Sequence, residues 1–339
     1  MDIQNLHATA LRLVNVQGKG ILAADESNNT CNTRFATHGI PQTEESRRAY
    51  RELLFTTPNI EKYVTGVILF DETIRQKTRP LTQAKGDKGM PFHEYLAQKG
   101  ILSGIKVDEG LVEMSGFEGE TVTKGLDGLP ARLLEYRSLG ASFAKWRAAF
   151  KITMNTPSDE VIRENAKILA RYAKACQDEG IVPIIEPEVL LDGVHTIEKS
   201  KEVTGKVLKI VFEELPKYFV DLSGLILKTS MVLSGDKAEN RADPETVGKY
   251  TAEVLKKNVP EKVAGVVFLS GGQTPDEATD NFREIAKAEP LPWPLAFSFS
   301  RALQNDALKI WSGRDENINE AQKAFLLRLE NNSLADQGL

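Results

Sequence analysis

Lysines and carboxylates recur in this sequence at the ends of short apolar runs. Amines beside carboxylates are the equipment of carbonyl chemistry. Lys106, Lys145 and Lys228 close LSGIK, FAK and GLILK, while Asp25, Glu186 and Glu188 close GILAAD and GIVPIIEPE. Lys228 poses the sharpest question. Leu225, Ile226 and Leu227 before it read as a buried strand, yet a lysine at a strand end is ordinarily a solvated surface group. An amine attacks a carbonyl only when neutral, and a free lysine titrates at about 10.4. Bringing that to ~7–8 takes roughly 4 kcal/mol of bias against the ammonium. Desolvation by the apolar run is one source, and repulsion from Lys145, if it lies close by, is another. The product is a Schiff-base lysine. Glu186, Glu188 and Asp25 then suit proton shuttling for carbinolamine dehydration and carbon–carbon cleavage. The glutamates equally suit a salt-bridge lattice with the lysines.

The cations point to a second property. Lys106, Lys145, Lys228, Arg147 and Arg301 gathered on one rim would make a local positive field in a chain of net charge −5. Such a cleft concentrates anions, phosphate above all. SGGQT (270–274) leads into a capped helix, so Ser270, Gly271 and Gly272 either let backbone N–H groups approach an anion or form an ordinary tight turn. SFSRALQ (298–304) offers the same arrangement with the hydroxyls of Ser298 and Ser300 and the guanidinium of Arg301.

These residues share a rim only if the chain builds one. Eight apolar runs end in polar residues: GILAAD (20–25), GVILFD (66–71), LSGIKVD (102–108), FAKWRAAF (143–150), GIVPIIEPE (180–188), GLILKTS (224–230), AGVVFLSGG (264–272) and LAFSFSR (295–301). Segments of helical spacing lie between most of them. Thr156-Pro157 and Thr274-Pro275 each read as an N-cap before a first-turn proline, and Gly180 as the residue that ends a helix. Alternating strand and helix implies a parallel sheet, and eight such units predict a closed (β/α)8 TIM barrel with an additional N-terminal helix. An open doubly wound sheet is the alternative, but there is no GxGxxG after the first strand and no GxxxxGK[ST]. Residues two apart on a strand share a face, which pairs Lys145 with Arg147, Glu186 with Glu188, Lys106 with Asp108, Ile226 with Lys228, and Phe268 with Ser270. Residues 1–339 read as one domain, with 331–339 a short tail whose polar end, SLADQGL (333–339), is expected to be disordered.

Composition excludes several classes. With 41% hydrophobic and 27% charged residues, the chain has globular composition. Mild acidity argues against general nucleic-acid or anionic-membrane binding, and no apolar stretch approaches the ~20 residues that span a bilayer. The start of the chain resembles no signal or transit peptide. Cys31 and Cys176 do not make a disulfide framework, and Cys176 falls on the apolar stripe Ile162, Ala166, Leu169, Ala173 of a helix. The four histidines show no HExxH spacing, leaving little support for a zinc site or a Ser-His-Asp triad. The expected location is the cytoplasm, or a plastid after removal of a transit peptide.

GILAADES (20–27), GIKVDEG (104–110), FAKWR (143–147), GIVPIIEPE (180–188), LKTSMV (227–232), FLSGGQ (268–273) and SFSRALQ (298–304) together resemble the class I fructose-bisphosphate aldolases, a likeness that runs through nearly the whole chain. The resemblance implies metal-independent, reversible cleavage of fructose 1,6-bisphosphate to dihydroxyacetone phosphate and glyceraldehyde 3-phosphate. It makes Lys228 the Schiff-base lysine and Glu186 the general acid/base. Asp25 and Lys145 orient the C4 hydroxyl, and Glu188 fixes the lysine pair electrostatically. Ser270, Gly271, Gly272, Ser298, Ser300 and Arg301 resemble the C1-phosphate site. Ser27, Arg34 and Lys106 point toward the C6-phosphate, with Arg147 a further phosphate-side cation. It implies no cofactor, sugar phosphates as the small-molecule partners, and a homo-tetramer. The sequence departs from the family pattern at Thr33, where a lysine is common, and at Ser300, often glycine. It also lacks a tail ending in tyrosine, so enamine protonation is expected to fall to Glu186, Glu188 or an ordered water.

Overall fold

The computed structural model describes residues 3–80, 88–288 and 290–339. Its strands are β1 (Gly20–Ala24), β2 (Val64–Leu69), β3 (Leu102–Lys106), β4 (Leu111–Glu113), β5 (Thr121–Thr123), β6 (Ala141–Phe150), β7 (Val182–Val189), β8 (Ile226–Thr229), β9 (Gly265–Phe268) and β10 (Leu295–Phe297). Helices α1 (Ile3–Val14), α2 (Asn28–Ala36), α3 (Glu44–Phe55), α4 (Asp71–Ile74), α5 (Phe92–Gln98) and α6 (Leu129–Ser138) accompany the first half. The second half carries α7 (Asp159–Asp178), α8 (Ile197–Glu214), α9 (Pro244–Asn258), α10 (Pro275–Lys287), α11 (Arg301–Trp311) and α12 (Ile318–Ala335). No helix among the described residues is long and apolar enough to cross a membrane.

Eight strands form one sheet in the order β1-β2-β3-β6-β7-β8-β9-β10, and every neighbouring pair is parallel. The Ala23 N–H donates to Phe299 O at 3.0 Å, returning the end of the last unit to the first strand. The result is the (β/α)8 barrel that the alternation predicts. All eight expected strands are present. The hairpin β4–β5 between the third and fourth barrel strands went unread, because three-residue strands carry too little periodicity to register.

Side-chain alternation separates two cores. Ile21, Ala23, Ile184, Ile226, Val267 and Ala296 point inward and pack with Leu6, Ala10 and Leu13 of α1, which closes the N-terminal end of the barrel. Their strand neighbours, such as Leu22, Ile185 and Leu227, belong to the outer core beneath the helices. The inward set continues past its apolar members into Asp25, Lys145, Glu186 and Lys228. Period two and a plugged floor therefore deliver the charged residues to the open mouth. Alternation stops where β9 stops: Phe268 packs outward with its ring centroid 5.8 Å from that of Phe282 on α10, while Ser270 lines the mouth. The two do not share a face.

The helix caps hold in part. Thr274 makes a full capping box with Glu277 at the start of α10, and Gly180 follows α7 with φ +71°. Ser158, rather than Thr156, caps α7. The Thr156 hydroxyl is committed to Lys151 O at 2.7 Å, which leaves the next free hydroxyl to cap. Both cysteines are buried and free. The expected disordered tail is ordered: α12 runs through Ala335, with Leu329, Asn332 and Ala335 buried. The last residues are tied down by Gly18 N–H to Asp336 Oδ2 at 2.6 Å and Arg283 Nε to Leu339 O at 2.6 Å. Turn-spaced burial on α12 outweighs the polar composition that suggested disorder.

Closure depends on a missing side chain. A Cβ on Gly20 would lie 2.4 Å from Phe297 O, and backbone cannot yield as a side-chain tip can. Gly20→Ala should cost about 1–3 kcal/mol as an overpacking change. Denaturant titration checks this, and an unchanged midpoint would show that β1 and β10 are not in such close contact.

Candidate active site

A cavity of about 950 Å³ opens at the C-terminal ends of the strands, the face where barrels of this type carry their sites. Asp25 from the end of β1, Lys106 from β3, Lys145 and Arg147 from β6, Glu186 and Glu188 from β7, and Lys228 from β8 all line it. So do Ser27, Ser270, Gly271, Ser298, Ser300 and Arg301.

At its floor lies a lattice of buried charge. Lys228 Nζ is 3.1 Å from Glu186 Oε1, and Lys145 Nζ is 3.1 Å from Glu186 Oε2. Lys145 also meets Asp25 Oδ2 at 2.8 Å and Asp108 Oδ2 at 3.9 Å. Lys145, Glu186 and Lys228 are each 3–4% exposed, so their mutual attraction is little screened by solvent. Burial opposes the Lys145 ammonium, but Asp25, Glu186 and Asp108 overcome it and hold the group charged far above the usual lysine range. Burial likewise opposes ionised Glu186, and the ammonium groups of Lys145 and Lys228 reverse that and lower its carboxyl. Lys145 and Lys228 share one glutamate: each amine takes one oxygen of Glu186.

Around this floor stand two further pairs. Arg147 Nε meets Glu188 Oε2 at 2.5 Å, which binds Glu188 to the arginine rather than to the lysine pair. Burial opposes the Arg147 guanidinium, and Glu188 raises it further into the charged range. Lys106 Nζ meets Asp108 Oδ1 at 2.7 Å. Arg301 is exposed at the rim, and its side chain makes no hydrogen bond or ion pair among the described residues. Gly271, with φ +57°, gives the backbone of its loop a left-handed turn.

Three expected residues sit differently. Arg34 does not line the cavity; it is turned into a cluster with Glu26, with Gln304 Oε1 at 3.1 Å and with Asn305 Oδ1 at 3.2 Å. Gly272 stands behind the lining, where a Cβ would meet Arg301 Nη2 at 3.7 Å. The Ser300 hydroxyl donates to Glu26 Oε1 at 2.8 Å rather than standing free. Thr33 is exposed, its hydroxyl spent on Asn29 O at 3.0 Å. Two participants were missed as site candidates. Asp108 was detectable as the period-two partner of Lys106. Glu26 gave no signal, because its role depends on Arg51 of α3 and on a serine 274 residues away.

A family model for class I fructose-bisphosphate aldolase matches residues 5–339. The chain belongs to the class I fructose-bisphosphate aldolase family. It is 50% identical over 339 residues to a probable class 1 fructose-bisphosphate aldolase of Xanthomonas campestris pv. campestris, covering 100% of this chain and 99% of that one. It is 48% identical over 326 residues to the cytosolic fructose-bisphosphate aldolase 4 of Arabidopsis thaliana, covering 96% and 81%. Among solved structures, the Plasmodium falciparum fructose-bisphosphate aldolase in complex with TRAP and a small-molecule inhibitor superposes with a TM-score of 0.95 at 44% identity. That match covers 99% of this chain and 95% of the other. Membership makes this chain a carbon–carbon lyase, of the class that cleaves fructose bisphosphate through a Schiff base.

The lattice has a pH signature. Burial alone would raise the Asp25 carboxyl, but Lys145 and Lys228 outweigh it and hold it at about 2. An unfolded aspartate titrates at about 3.9. A carboxyl depressed on folding contributes its stability in full above that value and loses it as pH falls through the folded one. For Asp25 this is roughly 2.5 kcal/mol, lost mostly between about pH 4 and pH 2. Asp25→Asn should therefore flatten the dependence of unfolding free energy on pH across that window. A variant curve that runs parallel to the parent's there would contradict the assignment.

Proposed function

We propose that Lys228 is the nucleophile and that Glu186 moves its protons. The observation that carries this is the 3.1 Å contact between Lys228 Nζ and Glu186 at the floor of the cavity. It sets an amine and a proton carrier within the reach that general acid–base catalysis needs. Glu186 takes a proton from Lys228, freeing the amine to attack C2 of the ketose, and returns it to the carbinolamine hydroxyl, which departs as water. The positive iminium then draws electrons from the C3–C4 bond as Glu186 takes the C4 hydroxyl proton. Asp25 and Lys145, in contact with each other and with Glu186 on the Lys145 side, orient that hydroxyl. Because the iminium is the electron sink, the proposal needs neither metal nor cofactor.

The substrate is fructose 1,6-bisphosphate in this reading. Its C1-phosphate rests on Ser270, the Gly271 backbone, Ser298 and Arg301, and its C6-phosphate on Ser27 and Lys106. Support comes from the cavity lining and from Arg301, a cation whose side chain has no ion pair among the described residues. The location proposed is the cytoplasm, supported by plant relatives that are named cytosolic.

Sodium borohydride with dihydroxyacetone phosphate should inactivate the protein irreversibly and label Lys228. Turnover should survive prolonged EDTA treatment and gain nothing from added zinc. Label on another lysine would overturn the nucleophile; a chelator-induced loss restored by a divalent metal would overturn the metal-free mechanism.

A further inference from the structure

A second buried charge cluster gathers on Glu26, which follows Asp25 in sequence but takes no part in the lysine lattice. Glu26 Oε2 meets Arg51 Nη2 at 2.8 Å, and Oε1 accepts from Arg34 and, at 2.8 Å, from the Ser300 hydroxyl. Arg51 comes from α3 and is 2% exposed. Burial disfavours ionised Glu26, and Arg51 with Arg34 overcomes that to hold its carboxyl below the usual range. A carboxylate so clasped is a fixed point.

Ser300 is the other end of the contact. It stands directly before α11, yet its side chain makes no capping bond there. Its oxygen instead donates to Glu26 and accepts from Gln304 Nε2 at 3.3 Å. The same Gln304 amide donates to Ala23 O at 2.7 Å. Two bonded routes therefore run from the end of β1 to the start of α11. The first segment carries Asp25 and Ser27, and the second carries Ser298 and Arg301.

We propose that Glu26 and Ser300 form a strut that fixes the span between the two phosphate-holding ends of the cavity, making them positioning residues for a bisphosphate. This rests on the substrate reading above. A bisphosphate must satisfy both ends while its C2 meets Lys228, so an error in span is felt at the reacting carbon. Misplacement by about 1 Å can cost on the order of 10²-fold in rate. A ketose 1-phosphate engages one end only and tolerates a loosened span.

The test compares kcat/KM for fructose 1,6-bisphosphate and fructose 1-phosphate in Ser300→Ala, Ser300→Thr and Glu26→Gln. Removing the hydroxyl should lower the bisphosphate value about tenfold and the monophosphate value less than threefold. Ser300→Thr, which keeps the hydroxyl, should restore most of the ratio. Should Glu26→Gln fail to fold because Arg51 is left buried without its anion, Ser300→Ala decides alone. An equal loss on both substrates, or no loss on either, overturns the strut. A parent protein that turned over fructose 1-phosphate at least as well as the bisphosphate would instead overturn the substrate reading beneath it.

Discussion

The buried ammonium of Lys145 is the constraint on which the mouth of this barrel depends. Removing a charged amine from water costs several kcal/mol unless it is paired and hydrogen-bonded, and here Asp25, Glu186 and Asp108 surround it. Those partners come from the end of β1, from β7, and from just beyond β3. One side chain on β6 thus ties together strand ends on different sides of the barrel. Removing any one of the carboxylates would leave buried charge uncompensated, so the arrangement holds as a set. Lys228 joins this set by its ion pair with Glu186, which leaves its amine beside a proton carrier and at the edge of the open cavity.

Charge and packing cooperate to hold that geometry. The inward side chains are apolar near the floor and ionic near the mouth, and α1 closes the floor. Phe143 fills the interior so tightly that a Cβ on Gly104 would lie 2.2 Å from its ring. Close packing of this kind transmits small displacements. The lattice can therefore keep its contacts only while the strands keep their register, in which Lys106 pairs with Lys145 and Arg147 with Glu186. The Glu26 cluster extends the same principle outward, joining the first unit to the last where the barrel closes.

Much of this was legible in the sequence, and physics explains which parts. The eight strands were visible because each couples an apolar run to a polar end. The inward residues followed from period two: Lys145, Arg147, Glu186, Glu188 and Lys228 lie on the faces that alternation assigns. Legibility failed where position depends on contacts between distant segments. Arg34 carried a motif position but is captured by Glu26, Gln304 and Asn305. Ser300 likewise turns to Glu26, and no local spacing announces a partner 274 residues away. The polar end of the chain suggested disorder, yet the buried face of α12 holds it. The partner of Glu188 is Arg147, a pairing that period two could place on adjacent strands but could not choose over the lysines.

The central claim is that charged Lys145, locked by its carboxylates, keeps Glu186 and Lys228 competent for iminium formation. Single-turnover Schiff-base formation with dihydroxyacetone phosphate in Lys145→Met measures this directly, with ligand binding followed separately. The account predicts that binding persists while the rate of adduct formation at Lys228 falls at least a hundredfold, about 2.7 kcal/mol of barrier. Adduct formation within a few-fold of the parent rate would contradict it.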